Sequence, residues 1–477
     1  MSLGRTASSA APSAAPSAAP SAAPSAAPQS PSLTRRYAGY IFWLLWLANF
    51  INYADRYAFL AIGDHVAVEF HLSDTQYGLL ATSFLFVYTL CILPMGLLAD
   101  RIKRKTVVAG GITLWSIITT FTALSPNYGV IFATRAALGL GEGSYFPAST
   151  SMLASSYPLK ERAKVMARWN TGLLVGLAVG FVGAGVLYSV FNDQWRPVFY
   201  VFGIPGLFLA GLIFLSKEPP RLADDDISAE TALAREGLRG IWRHIVELWN
   251  IPTLRVVVAM QALSFFIFGA TLVFIVPLFD RQFSNLAVSP TTLVGVAAVV
   301  GGIIGLLAGG AIADALIARY PSARVLVSGW SFLISVPFFI ASVIPLIFDF
   351  GLSVNMRVFG IFTPIFIITV ALLQVNTGPL TAVSQDVVTP LKRAASVGLT
   401  LLLSHLFGDL FAPTIAGALS DFFSGNAYFR TLGITHSNSP GYAFLLIGVP
   451  VLVAAGVVGV WGARFLQADE AAARAGA

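Results

Sequence analysis

The chain has 477 residues, of which 56% are hydrophobic and 11% charged, with a mean hydropathy of +0.77. A soluble domain carries about 25% charged residues, so a soluble enzyme, a nucleic-acid-binding protein and a secreted disulfide scaffold are excluded in favour of a membrane protein. The net charge of +6 is scattered between apolar runs rather than gathered on one face, and the single cysteine, Cys91, has no internal disulfide partner.

Residues 1–37 read as a disordered tail. Ser-Ala-Ala-Pro recurs five times between Ser9 and Pro28, a composition that cannot offset the entropy of ordering. No apolar core follows a basic start within this stretch, so it is not read as a signal peptide. Twelve apolar segments follow, each about 20–28 residues and long enough to cross a bilayer as a helix. They begin near Ala38, Thr75, Lys105, Tyr128, Ala163 and Arg196, then near Arg255, Thr291, Arg324, Met356, Arg393 and Gly441. A polar linker at 217–254, with a candidate amphipathic helix over 228–250, separates the two sets. The expected fold is all-α: a six-helix bundle at 38–216, a second at 255–466, a central cavity between them, and a tail at 467–477.

Lys and Arg set the orientation. With the N-terminus inside, cytoplasmic segments hold 23 of the 29; the outer loops hold Arg196, Arg281, Arg357 and Arg430, and Arg56 and Arg135 lie within spans. Both termini are therefore expected in the cytoplasm.

The halves are related. Gly96-Leu-Leu-Ala-Asp100 ends span 2 and Gly310-Ala-Ile-Ala-Asp314 ends span 8. Pro147 precedes Pro158-Leu159-Lys160 by eleven residues, and Pro379 precedes Pro390-Leu391-Lys392 by the same eleven, 232 residues later. Such a parallel duplication is expected of a transporter that rocks two halves around a midplane site.

The segment Gly96-Leu-Leu-Ala-Asp100-Arg101-Ile-Lys103-Arg104-Lys105 resembles the loop signature of the major facilitator superfamily, with Lys103 at a usual glycine position. Within it the chain resembles the Spinster family, through Asn52-Tyr53-Ala54-Asp55-Arg56, Arg135-Ala-Ala-Leu-Gly139-Leu-Gly141-Glu142-Gly143-Ser144-Tyr145 and Ser404-His405-Leu-Phe-Gly408-Asp409. The resemblance covers roughly residues 38–466. It implies a monomeric secondary transporter of lipid-like amphiphiles such as sphingosine-1-phosphate or lysophospholipids, in a bacterial inner (plasma) membrane.

Ionisable groups inside spans are costly and mark function. Asp55 lies about 25 Å along span 1 and Arg135 about 10 Å down span 4, so both fall in the outer half. Glu142 shares the face of Arg135, two turns deeper. Asp55, Arg56, Arg135 and Glu142 are the expected proton-coupling set, since burial favours a neutral acid and a neighbouring arginine favours a carboxylate. The alternative is a fixed ion-pair cluster. Arg135, Arg56 and Glu142 are also substrate-binding candidates, because a planar guanidinium suits a phosphate or carboxylate.

In the second half, the 232-residue offset pairs Glu142 with Gln374 and Arg135 with Ile367, so span 10 lacks both charges. Its wall reads as neutral, with Phe268, Asn376 and Thr377 as substrate-contact candidates. His405 and Asp409 share one helical face; His405 is read as a binding residue and Asp409 as a gating one. Asp100, Arg101, Arg104 and Asp314 are the other gate candidates. The glycines of spans 5 and 8 are read as packing positions. Neither a nucleophile motif nor a nucleotide loop is present, and no metal site or cofactor is expected. The expected partners are a lipid or small-molecule substrate, protons and membrane lipids, not nucleic acid. A proton-coupled symporter of small organic anions stays open as the alternative to a lipid transporter, with a receptor or scramblase-like channel behind it.

Overall fold

The computed structural model describes residues 34–219, 243, 245–283, 289–389 and 392–475. The Ser-Ala-Ala-Pro repeats and most of the expected linker helix lie outside these residues. The described residues are helical almost throughout. The first half comprises α1 (Arg35–Glu69), α2 (Asp74–Arg101), α3 (Arg104–Thr122), α4 (Tyr128–Ser156), α5 (Leu159–Val190) and α6 (Arg196–Leu215). The second half begins with α7 (Pro252–Gln282), α8 (Pro290–Ile317) and α9 (Ala323–Ile347). A π-helical segment, Met356–Phe362, then leads into α10 (Thr363–Gln374) and α11 (Thr377–Asp386). These are followed by α12 (Arg393–Phe407), α13 (Ala412–Gly425), the short α14 (Ala427–Thr431), α15 (Ser439–Gly462) and α16 (Leu466–Ala475).

Nine helical runs among the described residues are long and apolar enough to cross a membrane. The long helices α1, α3 and α4 fall outside that set; α1 and α4 carry Asp55, Arg56, Arg135 and Glu142, which dilute their hydropathy. Together these elements are consistent with twelve crossings. Local signals explain several boundaries. Ser73 and Gln76 close a reciprocal capping box at the start of α2. Asn127 caps α4 and Ser289 caps α8 through their side chains.

Within the first half, α1 packs on α5, α2 on α4, and α3 on α4 and α6. Within the second, α9 and α7 pack on α15, and α8 on α10. Glycine permits the closest of these approaches. A Cβ on Gly176 or Gly180 would lie 2.5 or 2.6 Å from the Phe50 or Ala54 carbonyl of α1; one on Gly305 or Gly309 would lie 2.0 Å from the Ala371 or Val375 carbonyl beside α10. The second half differs in being interrupted. Its tenth span bends through the π segment and again at Val375–Asn376, and its eleventh breaks at residues 408–411 between α12 and α13. The end of the molecule that carries α16 and the start of α1 is called the near side below, and the opposite end the far side.

Candidate functional site

Neighbouring residues on a helix point about 100° apart, and α1 uses this to send Asp55 and Arg56 to different partners. Arg56 reaches α4, where its Nε and Nη2 donate to Glu142 Oε2 at 3.1 and 2.5 Å. The Glu142 side chain is fully buried, while that of Arg56 keeps 17% exposure. The guanidinium also lies 4.8–5.1 Å from the ring centroids of Tyr53, Phe84 and Tyr88. Such a cation–π enclosure favours a cation without neutralising it. Asp55 turns instead to α3, where it accepts a 2.5 Å hydrogen bond from Thr119 Oγ1.

Arg135 is buried one level toward the far side. Its guanidinium sits 4.1 Å from the Phe59 ring and 5.1 Å from Phe84, and its Nε has no hydrogen-bond partner. Glu142 Oε1 is likewise unpartnered. The cluster therefore joins one committed pair, Arg56–Glu142, to a carboxylate and a guanidinium each held by a neutral neighbour. All four expected residues are brought together.

Across from them, His405 Nδ1 lies 3.0 and 3.1 Å from the two Asp409 oxygens, and its ring packs 4.7 Å from Phe265. The His405 side chain is 36% exposed. Asp409 sits in the break after α12, where regular helix hydrogen bonding is lost. Thr377 is exposed, with its Oγ1 donating to Gln374 Oε1. Asn376 is placed differently from an open wall position: it is buried and its amide donates to the Leu373 carbonyl, securing the bend in the tenth span. Phe268 lines an apolar crevice inside the second half with Leu272, Phe339, Phe366 and Thr369.

The near-side candidates fall into two similar devices. Arg104, buried at the start of α3, donates to Glu218 Oε1, to the Ser151 and Pro219 carbonyls and to the Ser155 hydroxyl. Arg324, at the start of α9, pairs with Asp386 and with Asp314 at 3.4 Å. Each arginine ties the start of a third span to the near end of a fourth within its own half. Arg101 is exposed, and the side chain of Asp100 lies outside the described structure.

Among the described residues, the polar contacts between the halves sit on the far side. Arg281 of α7 binds Asp64 at 2.8 Å and Asp74 at 2.9 Å. Ser420 donates to Asp74, and Asp421 accepts from the Asp74 and Thr75 amides and the Thr75 hydroxyl at 2.6–3.0 Å. Asp421 thus caps α2 from the opposite half, where the helix dipole favours an anion. Thr82 donates to the Leu410 carbonyl within the eleventh-span break. A Cβ on Gly78 would lie 2.3 Å from the Pro413 carbonyl, and one on Gly417 would lie 2.1 Å from that of Asp74. Sequence reasoning missed this latch. Its one readable trace was the Ser73-Asp74-Thr75-Gln76 helix start, and Arg281 entered only as an outer-loop charge.

Residues 45–379 match the Major Facilitator Superfamily. The chain belongs to this superfamily. It is 26% identical to protein spinster of Drosophila melanogaster over 380 residues, covering 79% of this chain and 61% of that protein. It is 28% identical to protein spinster homolog 3 of Danio rerio over 414 residues, covering 83% and 79%. Among solved structures, a bacterial homolog to the human lysosomal transporter Spinster, in an inward-facing and occupied conformation, superposes with a TM-score of 0.73 at 22% identity, covering 92% of this chain and 97% of that one. The nucleoside transporter NupG superposes at 0.63 and 14% identity, covering 90% and 98%. The chain is therefore a major facilitator superfamily transporter related to Spinster proteins, and an integral membrane protein.

Proposed function

We propose that this transporter moves a lipid-like amphiphile by alternating access, with a proton as coupling ion. The observation that carries the reading is the Arg56–Glu142 pair, whose acid is fully buried and whose base keeps 17% exposure. An anionic headgroup that binds Arg56 draws the guanidinium from Glu142. A buried carboxylate losing its counter-charge takes up a proton, and the same linkage makes protonation favour headgroup binding. Arg135 and Asp55 keep the cluster's net charge low during the exchange. On this reading the hydrocarbon chain meets the second half at the apolar crevice around Phe268, and Thr377 and His405 are that half's polar candidates. The far-side latch holds the state open toward the termini, while Asp100, Arg101, Arg104, Asp314 and Asp409 belong to elements that must re-pair when the near side closes. Cytoplasmic termini, a bacterial inner membrane and a monomer complete the reading.

The test is transport of a labelled lysosphingolipid phosphate into proteoliposomes under an imposed pH gradient. The gradient should accelerate the unmodified protein and leave Glu142→Gln unaccelerated. No movement above empty vesicles would remove the lipid assignment and make small carboxylates and sugar acids the next substrates. Movement indifferent to pH and to the substitution would make the cluster structural.

A further inference from the structure

A second amphiphile-shaped site lies outside the cavity, on the face of the first half that meets the bilayer. Arg36, Tyr40, Trp43, Leu47, Phe50 and Ala54 follow one another at spacings of three or four along α1, which puts them on one face. That face begins with an exposed cation and passes through exposed aromatic rings, Trp43 at 63% exposure. It ends in an apolar groove of about 310 Å³ between α1 and α6, lined by Leu47, Phe50, Ala54, Phe202, Phe208 and Leu212. Phe208 is 73% exposed there, so the groove opens sideways rather than into the protein. At its near end the Tyr37 hydroxyl accepts from the Lys217 amide and donates to the Lys217 carbonyl. This fastens the end of α6 to the start of α1, so the exposed Arg36 and the exposed Lys217 both stand at the near end of this helix pair.

The order cation, aromatic ring, apolar groove is the order of headgroup, interface and acyl chain in one leaflet. The dimensions agree. Leu47 is eleven residues beyond Arg36, or roughly 16 Å along the helix, and a leaflet with its headgroups is roughly 20 Å deep. The groove therefore meets the lower part of a chain whose headgroup lies at Arg36. Two exposed cations at that mouth select the sign of the headgroup.

We infer that the α1–α6 groove binds an anionic phospholipid of the near-side leaflet, its phosphate between Arg36 and Lys217 and one acyl chain against Phe208 and Leu212. The site is separate from the proposed transport cluster, so it stands or falls without reference to the transported substrate.

Native mass spectrometry of the full chain, with added phosphatidylglycerol or phosphatidylcholine of identical chains, tests it. The unmodified protein should retain phosphatidylglycerol in preference, each cation contributing about five-fold. Arg36→Gln with Lys217→Gln should bring retention down to the phosphatidylcholine level, with an unchanged elution volume and thermal midpoint. Phe208→Ala should weaken both lipids alike. Equal retention of the two lipids by the unmodified protein would overturn the inference, as would a preference that survives the double substitution. A dimer that loses its contact on Phe208→Ala would also overturn it, by making a second copy the occupant.

Discussion

The fifth and eleventh spans are built on the same plan and behave differently. The 232-residue offset places Gly408 where Gly176 stands in the first half. Both glycines bring their span against the first helix of the half: Gly176 onto the Phe50 carbonyl of α1, Gly408 onto the Ala262 carbonyl of α7, each with a would-be Cβ at 2.5 Å. Around Gly176 the helix runs unbroken from Leu159 to Val190. Around Gly408 it stops, resumes at Ala412, and exposes a carbonyl that Thr82 of the other half uses. The first half thus keeps its charges in a frame of continuous helices, where ion pairs can be desolvated and held. The second half keeps few charges and spends regular hydrogen bonds on bends. Charge storage and flexion are divided between two copies of one architecture.

The largest test of that division removes the stored charge. Glu142→Ala leaves Arg56 without its carboxylate and should cost about 3 kcal/mol of stability, read as a lowered thermal midpoint in detergent. Asp409→Ala, at a half-open site in the flexing half, should cost less than about 1 kcal/mol. Equal losses would erase the contrast. Next come the two glycines. Gly176→Leu overpacks an unbroken interface and should destabilise by about 1–3 kcal/mol or more. Gly408→Leu meets the Ala262 carbonyl just as closely but beside a break where the chain can shift, so it should destabilise less than Gly176→Leu and should slow transport. At the latch the readout is conformation rather than stability. Arg281→Gln removes two ion pairs and should shift the halves apart on the far side, visible as a longer spin–spin distance between labels at Leu124 and Tyr428. The least is expected from Lys392→Gln, whose 2.8 Å pair with Glu247 is about 40% exposed on both sides. Its midpoint should change by less than about 0.5 kcal/mol equivalent.

The helical architecture was legible because a bilayer imposes length and hydropathy on every span, and because Pro147/Pro158 and Pro379/Pro390 repeat at one offset. Asp55, Arg56, Arg135 and Glu142 were legible because a charge in an apolar run is expensive and needs partners nearby. Their pairing was less so: Arg56 takes Glu142, Asp55 takes Thr119, and Arg135 rests on phenyl faces, choices set by rotation about the helix axis. The bends at 356–362 and 408–411 left traces in Gly360 and Pro364 and in Gly408 and Pro413, but glycine and proline are frequent within membrane spans, where neighbouring spans replace the lost hydrogen bonds. The latch was hidden for another reason. Asp74 and Arg281 are 207 residues apart, and Thr75 and Asp421 are 346 apart; no periodicity connects such positions.

The borrowed cap on α2 gives the molecule a readout of its own. The amide protons of Asp74 and Thr75 are held by Asp421, a residue that in the proposed alternating-access cycle leaves with the other half when the far side opens. Their shelter from deuterium is therefore lent for only part of the cycle, whereas the Gln76 amide, bonded to Ser73 within the same half, keeps its protection throughout. Adjacent positions on a single turn thus form a clock and its reference. The ratio of their isotope uptake would report how long the molecule dwells with its far side shut, with no label attached.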